Sequence, residues 1–456
     1  MTQHNIDPSA PLLPTAGRRD VLRAGIGVLA LLPLAGCGIF DDDPKTVLPG
    51  RREDVLSVGA GLTVDESDTT PVSLPPPTLD GEWAQGGRIP SHEAINEQLG
   101  GLKPLWTQSF GKGQTGRGAL TAEPVVSNNR VFTMDTDGVV SAFDLASGAR
   151  LWRTPTKPKK ARSTNVGGGL GLADGTLYVV NGLAESLALD PQTGAIRWRV
   201  DVGTPGRSAP TIVDGRVFFG TIDEKLFALD AATGKTIWTF QATAGDTVVL
   251  GQPAPAVVGN SVLAGFGSGD VVALRADSGE MLWSDTLGST GGRNSVMDFP
   301  SVHGLPAIVG GTAYVISVGQ VLTAIDLRSG RRLWERQVGG KDGLVVCGDW
   351  LFVLSAEQQL ACIDRSNGHV RWVTVLPRFR NTKKNKNPIL WSGPLLADNK
   401  LFCVSDFPKQ GMIRVDAVSG KVVDITPLPD AGVMSPIAAA GRLLVVTDDG
   451  KLSVFG

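Results

Sequence analysis

Beyond about residue 103 the chain is written in short runs of alternating apolar and polar residues, four to eight long, separated by turn residues. One stretch shows the unit. Residues 209–214 (APTIVD), 215–222 (GRVFFGTI), 225–230 (KLFALD) and 236–241 (TIWTFQ) read as four strands. They are joined by DG, DE and AATG, all turn chemistry. The unit recurs, with a Trp in its fourth strand as register mark. Trp106, Trp152, Trp198, Trp238, Trp283, Trp334 and Trp372 follow at intervals of 46, 46, 40, 45, 51 and 38 residues. A period near forty-five with four strands per unit predicts a β-propeller. An eighth fourth strand is expected at 420–425 (GKVVDI), with Val423 or Asp424 where Trp would stand. Residues 435–456 then supply three strands without a fourth, and 103–110 (KPLWTQSF) a fourth without the first three. The prediction is an all-β, eight-bladed propeller of four-stranded antiparallel blades over 103–456, its last blade closed by the N-terminal strand. Such closure removes exposed edges and ties the ends together.

The turn before each Trp needs a residue at positive φ, which Gly adopts without strain. The apolar faces are read as blade-to-blade packing, with the Trp as the largest buried surface. The repeat therefore builds the fold and is not itself an active site.

The first hundred residues lack this pattern. Arg18, Arg19 and Arg23 precede an apolar run at 24–33 that is short for a membrane span, and LAGC closes the segment at 34–37. This order resembles an export signal over 1–36 with a lipobox, and RRDVLR (18–23) resembles a twin-arginine signal. The resemblance implies a mature chain that begins at a lipidated Cys37 and is held on a membrane by its acyl chains. Gly38 follows, in place of the Asp that often marks inner-membrane retention, which points to the outer membrane. Residues 37–102, with acidic and Pro-rich stretches at 41–44, 65–68 and 74–78, are expected to form a mostly disordered tether. A short helix is expected at 92–101.

Composition changes the picture little. With 58 Gly and 29 Pro, the chain is rich in turn formers, as short strands require. A net charge of −2 offers nucleic acid no global attraction. His4, His92, His303 and His369 are scattered, and no pair has ligand spacing. Cys347, Cys362 and Cys403 sit in apolar runs and read as buried thiols, with one disulfide among them left open. The segment 378–391 carries Arg378, Arg380, Lys383, Lys384 and Lys386 without an acid and reads as a solvated loop.

The turn-plus-Trp repeat resembles that of pyrroloquinoline quinone (PQQ) dehydrogenases, which would need a bound calcium, a catalytic Asp and an Arg near the quinone, and often a pair of adjacent cysteines. No such cysteine pair occurs, and the units are short. Signal, lipobox, tether and eight blades together resemble the BamB family of outer membrane protein assembly lipoproteins. That resemblance implies a non-enzymatic scaffold of the β-barrel assembly (BAM) complex without cofactor or metal. It would lie on the periplasmic face of the outer membrane and bind the POTRA domains of BamA, other BAM subunits and unfolded outer membrane protein chains. It places the partner surface on two loops, 245–253 and 291–304, with Val248, Val249, Leu250, Arg293 and Asp298 as contact candidates. Val249 and Asp298 match the family pattern. Leu250 stands where Arg is frequent, and Val296 where a second acid is usual. A periplasmic propeller that binds a small ligand is the third reading, which a charged central pocket would favour.

Overall fold

The computed structural model describes residues 61–115, 118–158, 163–243, 251–288 and 300–456. Among them the strands form eight four-stranded antiparallel sheets and one two-stranded hairpin. Blades 1 to 7 span 125–155, 168–201, 211–241, 256–286, 307–336, 345–375 and 391–426. Each runs from an inner strand, three residues long in all but blades 2 and 7, to an exposed outer one. Blade 8 takes three strands from 437–455, and Pro104–Ser109 is its outer strand, antiparallel to Lys451–Phe455 with Thr107 opposite Ser453. The predicted closure is observed.

The joints between blades explain the repeat. In six blades the outer-strand Trp lies opposite a small third-strand residue, as Trp238 does with Ala228; in the closing strand Trp106 lies opposite Val454. All seven indoles donate Nε1–H to a backbone carbonyl in the next blade's turn at 2.7–3.1 Å. The ring then lies on the glycine of that turn. Gly234 holds φ +72°, its N–H bonds Asp230 O at 2.8 Å, and an added Cβ would stand 2.8 Å from the Trp198 ring. Asp230 Oδ1 accepts from Thr233 N at 2.8 Å and Thr233 Oγ1 at 2.6 Å, and these bonds hold its carboxyl below the usual range. Gly234→Ala combines a positive-φ penalty with a clash. It should cost about 1–3 kcal/mol in chemical denaturation, with an unchanged midpoint as the contrary result.

Residues 61–102 differ from the expected tether. They pack along the propeller, and 92–101 contains no helix. Asp65 accepts from Val370 N at 2.7 Å and Arg336 Nη2 at 2.6 Å. From Thr78 to Gly100 the segment visits the inner part of every blade. Trp83 exchanges two 2.8 Å backbone bonds with Val126 of blade 1. Leu172 N donates to Ala84 O at 2.7 Å in blade 2, and Ile212 N to Gln85 Oε1 at 2.8 Å in blade 3. Val257 N donates to Pro90 O at 2.7 Å in blade 4, and Ile308 N to Ser91 O at 2.9 Å in blade 5. Ala94 N donates to Val346 O at 3.1 Å, Glu97 N to Leu396 O at 3.3 Å and Gly100 N to Gly441 O at 2.7 Å in blades 6, 7 and 8. This strap satisfies inner-strand backbone groups that would otherwise face the axis unpaired. Because its bonds are mostly to backbone, its sequence needs no apolar period.

Candidate functional site

The strap lines a cavity of about 80 Å³ on the propeller axis, with Trp83, Arg88, His92 and Glu97 on its side and Glu123, Leu395 and Ser435 opposite. A wider funnel of about 320 Å³ adjoins it, sharing Glu123, Leu305, Gly343 and Ser435. Arg207, His303, Lys341 and Asp342 line the funnel. Lys341 Nζ is held by Asp342 at 2.9 Å and Ser392 Oγ at 3.0 Å, so its charge is locally matched.

Burial sets the protonation of the axial groups. Glu97 is pushed up to about 8 and Glu123 to about 7, in both cases chiefly by loss of solvent. Burial lowers His92 to about 4, while its Nδ1 lies 2.6 Å from Pro306 O. Arg88 pairs with Asp80 at 2.5 Å. Among the described residues no group of three or more His, Cys, Asp or Glu is placed to hold a metal ion.

The candidate lipidation site Cys37 and every candidate contact residue, Val248, Val249, Leu250, Arg293 and Asp298, lie outside the described residues. The ends of their two loops are described. The segment 244–250 links the outer strand of blade 3 to the inner strand of blade 4, and 289–299 does the same between blades 4 and 5. Both are thus outer-to-inner connections of consecutive joints. The described residues that follow them approach each other: a Cβ on Gly251 would stand 2.9 Å from His303 Nε2. His303 Nδ1 in turn lies 2.7 Å from Lys341 O, at the funnel.

The basic segment forms a hairpin outside the blades, with Phe379–Asn381 paired to Lys386–Pro388. Arg380 bonds Asp406 at 3.1 Å and lies over the Phe407 ring, whereas Lys383, Lys384 and Lys386 are exposed. Cys347, Cys362 and Cys403 are buried free thiols, with burial raising each thiol pKa. The axial strap and funnel had no signal in the sequence.

Comparison with known proteins adds to this geometry. The profile of the family described as "Outer membrane protein assembly factor BamB" matches residues 97–155 and 136–374. An outer membrane protein assembly factor BamB of Yersinia pestis is 24% identical over 418 residues, covering 90% of this chain and 98% of that protein. The Burkholderia pseudomallei BamB is 27% identical over 380 residues, covering 81% and 91%. Among solved structures, BamB from Moraxella catarrhalis superposes with a TM-score of 0.65 at 18% identity, covering 78% of this chain and 99% of that one. A quinohemoprotein alcohol dehydrogenase of Pseudomonas putida reaches 0.62 at 15% identity, covering 82% and 77%, a likeness of fold.

Proposed function

The chain belongs to the BamB family of outer membrane protein assembly factors, and from that premise we propose that it is a non-enzymatic propeller scaffold of the BAM complex, bound to the POTRA domains of BamA. The observation that carries this reading is the close approach of Gly251 and His303, described residues that follow the connections from blade 3 to blade 4 and from blade 4 to blade 5. Loops on a rigid scaffold are where binding residues concentrate. The chain acts by holding the POTRA domains in place. Cys37 anchors it by lipid to the periplasmic face of the outer membrane.

Val248, Val249 and Leu250 supply the apolar part of the contact, and Arg293 and Asp298 the polar rim. Interface energy concentrates in a few central residues. Leu250→Asp places a charge in the apolar part and should weaken binding to purified POTRA domains by roughly 30-fold, about 2 kcal/mol. Asp298→Ala, at the rim, should cost less. Calorimetric titration checks both. Unchanged affinity in both variants would move the interface elsewhere.

A further inference from the structure

The outer-to-inner connection from blade 6 to blade 7, residues 376–390, carries a hairpin of its own, Phe379–Asn381 paired with Lys386–Pro388. The segment 378–391 holds five cations and no acid, in a chain whose net charge is −2. The base of the hairpin is clamped. Arg380 Nη2 donates to Asp406 Oδ2 and to Asp406 O, both at 3.1 Å, and its guanidinium lies 4.9 Å from the centre of the Phe407 ring. Leu390 N donates to Asp406 Oδ1 and Asp406 N to Leu390 O, both at 3.0 Å. These contacts match the charge of Arg380 and leave the lysines unmatched. Lys383, Lys384 and Lys386, together with Lys409 in the turn that begins at Phe407, are exposed, and none of them forms an ion pair with a described residue. Like charges held together on a pinned hairpin repel one another, a cost that an anionic surface offsets. Leu390 beside them is 51% exposed.

The place of the hairpin in the fold points to the kind of anion. The first described residue, Gly61, lies against Gln337 O and Val338, at the start of the connection from blade 5 to blade 6. In that same connection Lys341 donates Nζ to Ser392 Oγ at 3.0 Å. Ser392 adjoins Trp391, whose indole donates to Pro377 O at 2.8 Å and closes the foot of the hairpin. The N-terminal side of the chain, which carries Cys37, thus joins the ring on the face that bears the hairpin.

We propose that the 379–388 hairpin is a second membrane contact, which docks on anionic phospholipid headgroups beside the lipid anchor. The inference rests on the lipoprotein reading above. Lysines clustered beside an anchor are drawn to an anionic bilayer, each adding to the attraction, and an acyl anchor with a basic patch holds more firmly than the anchor alone. Docking keeps the funnel face, where Lys341 lies, turned toward the bilayer.

The test uses the full lipidated chain with Thr382→Cys, labelled at that exposed turn residue with nitrobenzoxadiazole; Cys347, Cys362 and Cys403 are buried and stay unlabelled. The chain is reconstituted in phosphatidylcholine vesicles with or without phosphatidylglycerol, both holding a headgroup-borne quencher. Flotation reports the anchor, and quenching reports the hairpin. Phosphatidylglycerol should produce quenching that high salt reverses. Lys383→Gln, Lys384→Gln and Lys386→Gln together should lower the ratio of docked to free hairpin at least tenfold and leave the melting temperature unchanged. Lys103→Gln, Lys235→Gln and Lys421→Gln together remove the same charge from exposed positions just before outer strands, and should leave docking as in wild type. Quenching that does not depend on phosphatidylglycerol, or that both triple variants lose equally, overturns the contact. A chain that fails to float with phosphatidylcholine vesicles refutes the lipid anchor instead, and added phosphatidylglycerol vesicles then still decide whether the hairpin docks.

Discussion

A chain lacking residues 103–110 should lose the cooperative melting of the ring. Those residues are the outer strand of blade 8, and they carry one of the seven Trp seals: Trp106 donates to Leu145 O at 3.0 Å and lies against Gly148 of blade 1. The deletion also removes Phe110, buried between blade 8 and blade 1 beside Val126, Phe143 and Val446. Loss of one large buried aromatic alone costs about 3–5 kcal/mol, and here the five-residue register with Lys451–Phe455 goes with it. Since a domain's whole stability is only about 5–15 kcal/mol, the expected result is an early, broadened transition in calorimetry. A deletion chain that melts sharply at the wild-type temperature would contradict velcro closure as a source of stability. Phe110→Ala, which leaves the strand in place, should show a smaller shift in the same direction.

The second large effect lies in the strap. Glu97 is 2% exposed and its Oε1 has no hydrogen-bond partner. Its folded pKa, about 8, stands above the ordinary 4.5, and Glu123 behaves alike at about 7. For an acid raised by folding, the stabilisation is fully present below the unfolded pKa and is lost as pH rises through the folded one. His92 has the opposite sign: its folded pKa, about 4 against 6.5, contributes stability above 6.5 that is lost as pH falls toward 4. Two acids outweigh one imidazole where the windows overlap, so strap stability should fall between about pH 5 and 8. Glu97→Gln keeps the shape without the titration and should flatten that slope. Glu97→Lys sets a cation into the same buried place near Arg88, at a cost of several kcal/mol for an unpaired buried charge, and should free the strap. Limited proteolysis within 78–100 across this pH range reads both. Equal cleavage of wild type and Glu97→Gln at pH 8, or a Glu97→Lys strap that stays protected, would refute this electrostatic account.

How much could be read in advance depends on which atoms carry the information. Side-chain alternation and the Trp–Gly register declared the blades, their number and the closing strand, because each blade buries its faces through side chains. The inner strand of blade 2, Gly168–Ala173, carries no such alternation. Its glycines at 168, 169 and 171 leave no pattern, and the lack of a side chain at Gly169 and Gly171 suits the close approach of Ala209 and Pro210 at blade 3. The strap was illegible for the same reason in stronger form, since it is fixed mainly by backbone bonds to the inner parts of the blades. The basic segment showed its charge but not its hairpin. The missing eighth Trp was visible as Val423 or Asp424, and in the structure Asp424 takes that place, opposite Arg414. The contact loops at 245–253 and 291–304 were reached through family resemblance alone, because no local periodicity marks a partner.

The central claim is that this propeller holds POTRA domains and performs no chemistry. Crosslinking in native membranes, followed by purification through this chain, tests it most directly when a PQQ- and calcium-dependent dye-reduction assay is run on the same sample. The account predicts recovery of an outer membrane barrel protein with POTRA domains, diminished by Leu250→Asp, and no dye reduction. Dye reduction that requires PQQ and calcium, with no such partner recovered, would contradict it and make the chain an enzyme.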